Sequence, residues 1–189
     1  MTTFFTSDLH FGCDGLIEAT RPEFGSTEQH DDTLIDSINR VVGRNDRLVI
    51  LGDFCYKKPG KYRQRLVCRH HFFILGNHDK EKQTRAVFGG NVWLAKMVKL
   101  KGGMVWCSHY PHCYWPQSHY GAYHAYGHLH NNTNHEEDMR MAAWDRRAMD
   151  VGVDHARLVL GEYRPFSEDE FFYALRLRKG HGLCERKKK

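Results

Sequence analysis

Five times along this chain an apolar run stops at a short cluster of residues able to hold a metal ion. The clusters are Asp8-Leu9-His10, Gly52-Asp53, Gly76-Asn77-His78-Asp79, Ser108-His109 and Gly127-His128-Leu129-His130. Each apolar run reads as a strand, so each cluster falls at a strand's carboxyl end. Open α/β sheets bind their ligands at that edge. Several clusters carry a Gly, which lets the backbone turn tightly beside the metal-capable side chain.

The rest of the pattern supplies the layers. Strands are expected at Thr3 to Leu9, Arg47 to Leu51, His71 to Leu75 and Ala125 to Gly127. Two more, Val92 to Leu100 and Met104 to Cys107, would flank a Gly102-Gly103 turn, and late strands would run from Met149 to Val153 and Leu158 to Tyr163. Glu28 to Val42 is an amphipathic helix, because Leu34, Ile35, Ile38, Val41 and Val42 share one face. Lys57 to Arg69 is basic and helical after the Pro59-Gly60 break, and Lys80 to Phe88 is a short helix. Pro111 to Tyr123 is a loop rich in aromatics and His. Ser167 with Glu170 forms a capping box that opens a final helix. Alternating strands and helices in the first half argue for α/β layers, and the strand-rich second half for a second sheet packed on the first.

Composition narrows the class. The 189 residues are 41% hydrophobic and 27% charged, which fits one ordinary globular domain and excludes collagen, coiled-coil and disordered chains. No apolar run is long enough for a membrane helix, and the N-terminus lacks the charged and apolar regions of a secretory leader. Six Cys are scattered without a C-x-x-C pair, so reduced thiols in a cytoplasmic protein are expected rather than a zinc ribbon or a disulfide framework. The net charge of +5 favours anionic partners, although part of it sits in a basic tail over residues 179–189, beyond a domain expected to span 1–178. Fourteen His is the unusual count, and their positions in the clusters give it meaning.

Singly, the motifs say little. D-x-H is common at surfaces and turns, and Gly-Asp is an ordinary turn. Gly76-Asn77-His78-Asp79 says more, since a turn has no use for His-Asp after Gly-Asn. Gly127-His128-Leu129-His130 says more again, because alternate residues of an extended chain point the same way. Mixed carboxylate, imidazole and amide donors suit manganese, iron, zinc or similar ions.

Taken together and in order, the five clusters resemble the calcineurin-like metallophosphoesterase superfamily. Its pattern is D-x-H, then G-D, then G-N-H-D or G-N-H-E, then a His, then G-H-x-H. The likeness extends to Thr6 through Gly12, Arg21-Pro22, Leu51 through Phe54, Ser108 through Pro111, Trp115 through Asn131, Val151 through Asp154 and Tyr163 through Pro165. These segments are similar to the small bacterial and phage members and carry the resemblance to about Ala174. It implies a four-layer α-β-β-α sandwich, two mixed sheets flanked by helices.

The resemblance also implies roles. Asp8, His10, Asp53 and His130 would hold one divalent metal; Asp53, Asn77, His109 and His128 would hold a second, with Asp53 bridging. Manganese is the first expectation, with iron, zinc, nickel or cobalt as alternatives. His78 would face the scissile phosphate as general acid or transition-state stabiliser, and Asp79 would orient it. A hydroxide between two metals would be the nucleophile.

Two departures stand out. Cys13 stands where the small group often has His, and Ser108 precedes His109 where much of the superfamily has Gly, leaving His112 and His119 as competitors for that ligand position. The G-D motif continues as Phe54-Cys55-Tyr56 and the later motif ends in Asp79, unlike the protein phosphatase branch. The expected activity is therefore a phosphodiesterase on nucleotides, cyclic nucleotides or nucleic-acid ends. The alternatives are a phosphomonoesterase on small metabolites and a non-catalytic interaction module. Lys57, Lys58, Lys61, Arg63, Arg65 and Arg69 either track a phosphate backbone or form a solvated helix face; the rings of Tyr110 to Tyr126 either stack on bases or pack their loop. Arg164 either reaches phosphate or belongs to a structural turn. The motifs carry no information on oligomeric state.

Overall fold

The computed structural model describes residues 1–131 and 147–178. The basic tail lies outside them. Along the chain the elements are β1 (Thr3–Thr6), α1 (Asp14–Thr20), α2 (Thr27–Val41), β2 (Arg47–Leu51), α3 (Pro59–Arg63), β3 (His70–Ile74), α4 (Glu81–Phe88), β4 (Val92–Trp93), β5 (Ala95–Leu100) and β6 (Gly103–Ser108). A 3₁₀ turn at Ser118–Tyr120, β7 (Tyr123–Tyr126), β8 (Ala148–Asp150), α5 (Val153–Leu160), β9 (Phe166–Ser167) and α6 (Glu168–Arg178) follow.

Two mixed sheets flanked by helices result, as the sequence pattern implies. The first has the order β4-β3-β2-β1-β9, parallel except for β9, and the second the order β5-β6-β7-β8, with only β5 antiparallel. The apolar residues of β1, β2 and β3 point to both sides of the sheet because both faces are covered. Phe4, Leu48, Ile50 and Phe73 point to one face, where they meet Leu34, Ile35 and Ile38 of α2 and Phe88 of α4. Phe5, Val49, Leu51 and Ile74 alternate to the other face and meet Val105, Cys107, Ala125 and Met149 of the second sheet, with Phe171 and Leu175 of α6. Each such side chain, fully buried, contributes roughly 1.5–3 kcal/mol. Among the described residues, the far face of the second sheet is covered by the aromatic loop, through Trp115 and Ala122.

Three expectations need correction. Val92 to Leu100 is two strands in different sheets: β4 pairs with β3, β5 pairs with β6, and Leu94, 77% exposed, makes the crossing. Leu158 to Tyr163 is not a strand. Leu158 and Val159 lie in α5, which buries only Val153 and Ala156 and stops at Gly161, φ 78°. Asp14–Thr20 forms a helix that the pattern does not announce, and the basic helix shrinks to Pro59–Arg63. Of the two readings of Arg164 the structural one holds: it binds Glu170 through Nη2 at 2.7 Å and Nη1 at 3.0 Å.

The helix caps form as the residue types require. Ser26 Oγ accepts the Gln29 N–H at 3.1 Å at the start of α2. At α6 the Ser167 hydroxyl accepts the Glu170 N–H at 3.2 Å while the Glu170 carboxylate accepts the Ser167 N–H at 2.9 Å. The five described cysteines (Cys13, Cys55, Cys68, Cys107 and Cys113) are free thiols. Among the described residues, no helix is long and apolar enough to cross a membrane.

Glu170 gives a test of this packing. The hydrogen bond from Arg164, opposed in part by burial, pulls its carboxyl from 4.5 to about 2. As pH falls, the unfolded chain takes up this proton first. The stabilisation is therefore complete above about 4.5 and gone below about 2. Glu170→Gln is expected to cost about 1 kcal/mol at neutral pH, with the difference from the parent vanishing across that acid range in urea titrations.

Candidate metal centre

The carboxyl ends of β1, β2, β3, β6 and β7 meet at one edge. The chain crosses between the sheets there through a bridge of Ser7 to Gly152 and the bond from Val151 N–H to Tyr126 O, 2.8 Å. The turns that deliver the side chains are tight. Asp8, His10, Asp53, His128 and His130 all have positive φ, between 47° and 76°. Non-glycine residues in that region cost roughly 1–2 kcal/mol each, so five together mark a site rather than an ordinary set of turns. Gly76 and Gly127 are required by close approach. A Cβ on Gly76 would overlap the Asp53 carboxylate and amide, and one on Gly127 would overlap Ser7 and Asp8.

Two groups of donors converge, Asp8 with His10 and His130, and Asp53 with His109 and His128. Within the first, His10 Nε2 is 3.2 Å from His130 Nε2, and His130 Nε2 is 3.9 Å from Asp8 Oδ1. Asp53 Oδ2 stands 3.5 Å from both His10 Nε2 and His109 Nε2, so it lies between the groups. Asn77 Oδ1 is 2.9 Å from His109 Nε2. His78 remains exposed, its Nε2 4.0 Å from Asp53 Oδ2.

Hydrogen bonding decides which atoms hold lone pairs. His109 Nδ1 faces the Leu51 carbonyl at 2.8 Å, and a carbonyl only accepts. The Nδ1 therefore carries the proton, and in the neutral ring Nε2 points a bare lone pair at the Asp53 carboxylate. His130 Nδ1 donates in the same way to Asp154 Oδ2 at 2.7 Å, and in the neutral ring this leaves its Nε2 bare. Asp8 Oδ2 accepts the His128 N–H at 2.9 Å, but Asp8 Oδ1 is buried with no hydrogen-bond partner. An orphaned carboxylate oxygen costs free energy unless a cation sits beside it. The donor set and this orphan fit divalent metal ions.

Burial sets the protonation states. It drives the His10 pKa down to about 2, helped by His130 and Arg21, and lowers that of His128. It raises the carboxyls of Asp53 and Asp79. Burial also works against an imidazolium at His130, but the Asp154 hydrogen bond and the Asp8 charge prevail and raise its pKa. At Asp154 burial opposes ionisation, yet Arg21 and His130 hold the carboxyl well below the usual range. Asp150, buried near the Asp8 carboxylate, is pushed up to about 7.

Each expected site residue reaches this edge, with one difference in role. Asp79 does not orient His78. Its carboxylate accepts the N–H groups of Asp53 (2.8 Å), Phe54 (3.1 Å) and Gly76 (2.8 Å), and among the described residues it makes no hydrogen bond to the His78 ring. It clamps the loops after β2 and β3 together. The competitors for His109 point elsewhere. His112 accepts from Trp106 Nε1 at 3.2 Å, and His119 packs on Tyr120. Cys13 caps α1, its carbonyl accepting the Ile17 N–H at 3.3 Å. Trp115 and His124 pack the aromatic loop, whereas Tyr110, 48% exposed, places its ring 4.5 Å from that of His128. Sequence reasoning missed Arg21, Asp150 and Asp154 as parts of the site. The available signal for Asp150 and Asp154 was a carboxylate set among apolar neighbours; Arg21 lies in a polar segment that offers no such signal.

A family model described as calcineurin-like phosphoesterase matches residues 1–171. The chain is 36% identical over 91 residues to the Gene 66 protein of Mycobacterium phage L5, a match spanning 41% of this chain and only 39% of that protein. A protein of unknown function from Aquifex aeolicus superposes with a TM-score of 0.70 at 22% identity, covering 91% of this chain and 98% of its own, which is a likeness of fold. YfcE, a phosphoesterase from E. coli, covers 69% of this chain with a TM-score of 0.43 at 21% identity.

Metal-stripped protein is expected to gain about 2.7 kcal/mol of stability when free Mn²⁺ reaches about 100 times its Kd, seen as a rise in thermal midpoint that a chelator reverses. Asp53→Asn should lose most of that gain. Metal-free Asp53→Asn should unfold no lower than the metal-free parent, because the variant removes a carboxylate charge that burial and the nearby Asp8 charge both disfavour. A large loss of metal-free stability would make Asp53 a structural residue.

Proposed function

The chain belongs to the calcineurin-like phosphoesterase family, and from that premise we propose that it is a phosphodiesterase using two divalent ions, manganese first, on nucleotides or nucleic-acid ends. One observation carries the proposal: Asp53 Oδ2 lies 3.5 Å from an imidazole of each donor group. Asp8, His10, Asp53 and His130 would hold one ion, and Asp53, Asn77, His109 and His128 the other, with Asp53 common to both. When bound, such ions polarise phosphoryl oxygens and bring the pKa of water from 15.7 to near 7.

The chain's own residues do the rest. His78 faces solvent beside the shared carboxylate, its backbone N–H held by Asp53 Oδ1 at 2.9 Å. That supports an imidazole facing the substrate phosphate, and a proton delivered from its ring to the departing alkoxide would speed the reaction roughly 10²–10⁴-fold. Asp79 keeps the His78 and Asp53 loops in fixed relation through its three backbone bonds.

The rim supports a substrate with two sides. Lys57, Lys58 and Lys80 are exposed on the loops that follow Asp53 and Asp79, and among the described residues none has an acidic partner. Tyr110 lies against His128. A diester carrying a base fits a rim with cations and an aromatic ring.

Metal-stripped protein given Mn²⁺ should hydrolyse bis-p-nitrophenyl phosphate faster than p-nitrophenyl phosphate. His78→Ala should lower diester turnover by about 10²–10⁴ while elemental analysis still finds two ions per chain. Metal loss in that variant would make His78 a ligand instead. Faster monoester turnover would favour a phosphomonoesterase.

A further inference from the structure

The two proton-committed imidazoles are oriented by unlike acceptors. His109 Nδ1 leans on a neutral carbonyl, that of Leu51, at 2.8 Å. His130 Nδ1 leans on a carboxylate, Asp154 Oδ2, at 2.7 Å. That carboxylate is gripped on both oxygens by Arg21, with Nε to Oδ1 at 2.8 Å and Nη2 to Oδ2 at 2.8 Å.

Arg21 is fully buried. Its remaining donors reach the first ligand turn, with Nη2 on the Asp8 carbonyl at 2.6 Å and Nη1 on the Leu9 carbonyl at 3.4 Å. Nη1 also lies 2.8 Å from His30 Nε2, whose ring continues through Nδ1 to Asp31 Oδ1 at 3.0 Å. Asp31 in turn accepts the Gly12 N–H at 3.2 Å. One guanidinium thus fixes both the backbone beside Asp8 and the carboxylate that aims His130, although these lie at opposite ends of the sequence.

A buried ion pair is a poor source of net stability, because desolvation offsets its attraction. A planar fork with five donors is, however, well suited to holding several acceptors at set angles. A carboxylate behind a ligating imidazole fixes its tautomer and makes it a better donor, and losing such a partner typically weakens metal binding 10–100-fold.

We propose that Arg21 and Asp154 are positioning residues for one ion only. They present His130 Nε2 bare towards Asp8 and His10, and the group of Asp53, His109 and His128 loads without them. The inference rests on the reading that both groups take divalent ions.

The test is a Mn²⁺ titration of metal-stripped parent and Asp154→Asn, which keeps an oxygen acceptor and the side-chain volume. The parent should bind two ions; the variant should bind one with parental affinity and the other 10–100-fold more weakly. Parental affinity at both sites, or equal weakening at both, would overturn the proposal. Nitrogen-15 histidine spectra of zinc-loaded parent protein test it without a substitution, and decide alone should the variant not fold. His130 is expected to carry its proton on Nδ1 and the metal on Nε2, and the reverse arrangement would refute the proposal. A folded parent that binds no divalent ion would instead sink the underlying reading.

Discussion

The structure turns on a repulsion that the protein alone does not relieve. Lone pairs of His109, His130, Asp8 and Asp53 are aimed into a space shared by five strand ends, and one oxygen of Asp8 has no hydrogen-bond partner. The turns that bring them there are themselves unfavourable, since five of the proposed ligands sit at positive φ. Interactions elsewhere must offset both costs. Such an arrangement of donors fits cations, and the chain belongs to the calcineurin-like phosphoesterase family.

The offset comes from two sources. β1, β2 and β3 are buried on both faces, so the strands that end at the centre are rigid at their roots. Two ionic side chains then fix the turns beyond those roots. Asp79 ties the Asp53 and Gly76 turns by accepting three backbone N–H groups, and Arg21 ties the Asp8 turn to the carboxylate behind His130. Neither need touch a metal. Each removes freedom from side chains that must hold position while their charges repel.

Candidate donors were legible in the sequence because residue type and position at strand ends are both local properties, while their division between two ions was implied by the family resemblance. Layers were legible for the same reason, through period and burial. What escaped were facts of distance. Arg21 and Asp154 are separated by 133 residues, and no local pattern says that they pair. Asp79 was read as the partner of its neighbour His78, but the backbone of β2's end, 25 and 26 residues away, satisfies it instead. The crossing at Leu94 hides inside a continuous apolar run, since one residue changes sheet without changing composition. The helix at Val153–Leu160 was misread because Leu158 and Val159 are apolar yet exposed, so they imitate a buried strand.

On the proposed reading Asp53 stands between two cations. Anomalous diffraction from crystals soaked in Mn²⁺ is the direct test. Two peaks are expected, one bounded by Asp8, His10 and His130, the other by Asn77, His109 and His128, with the Asp53 carboxylate shared between them. A single peak, or peaks that leave Asp53 without an ion on either side, would contradict it.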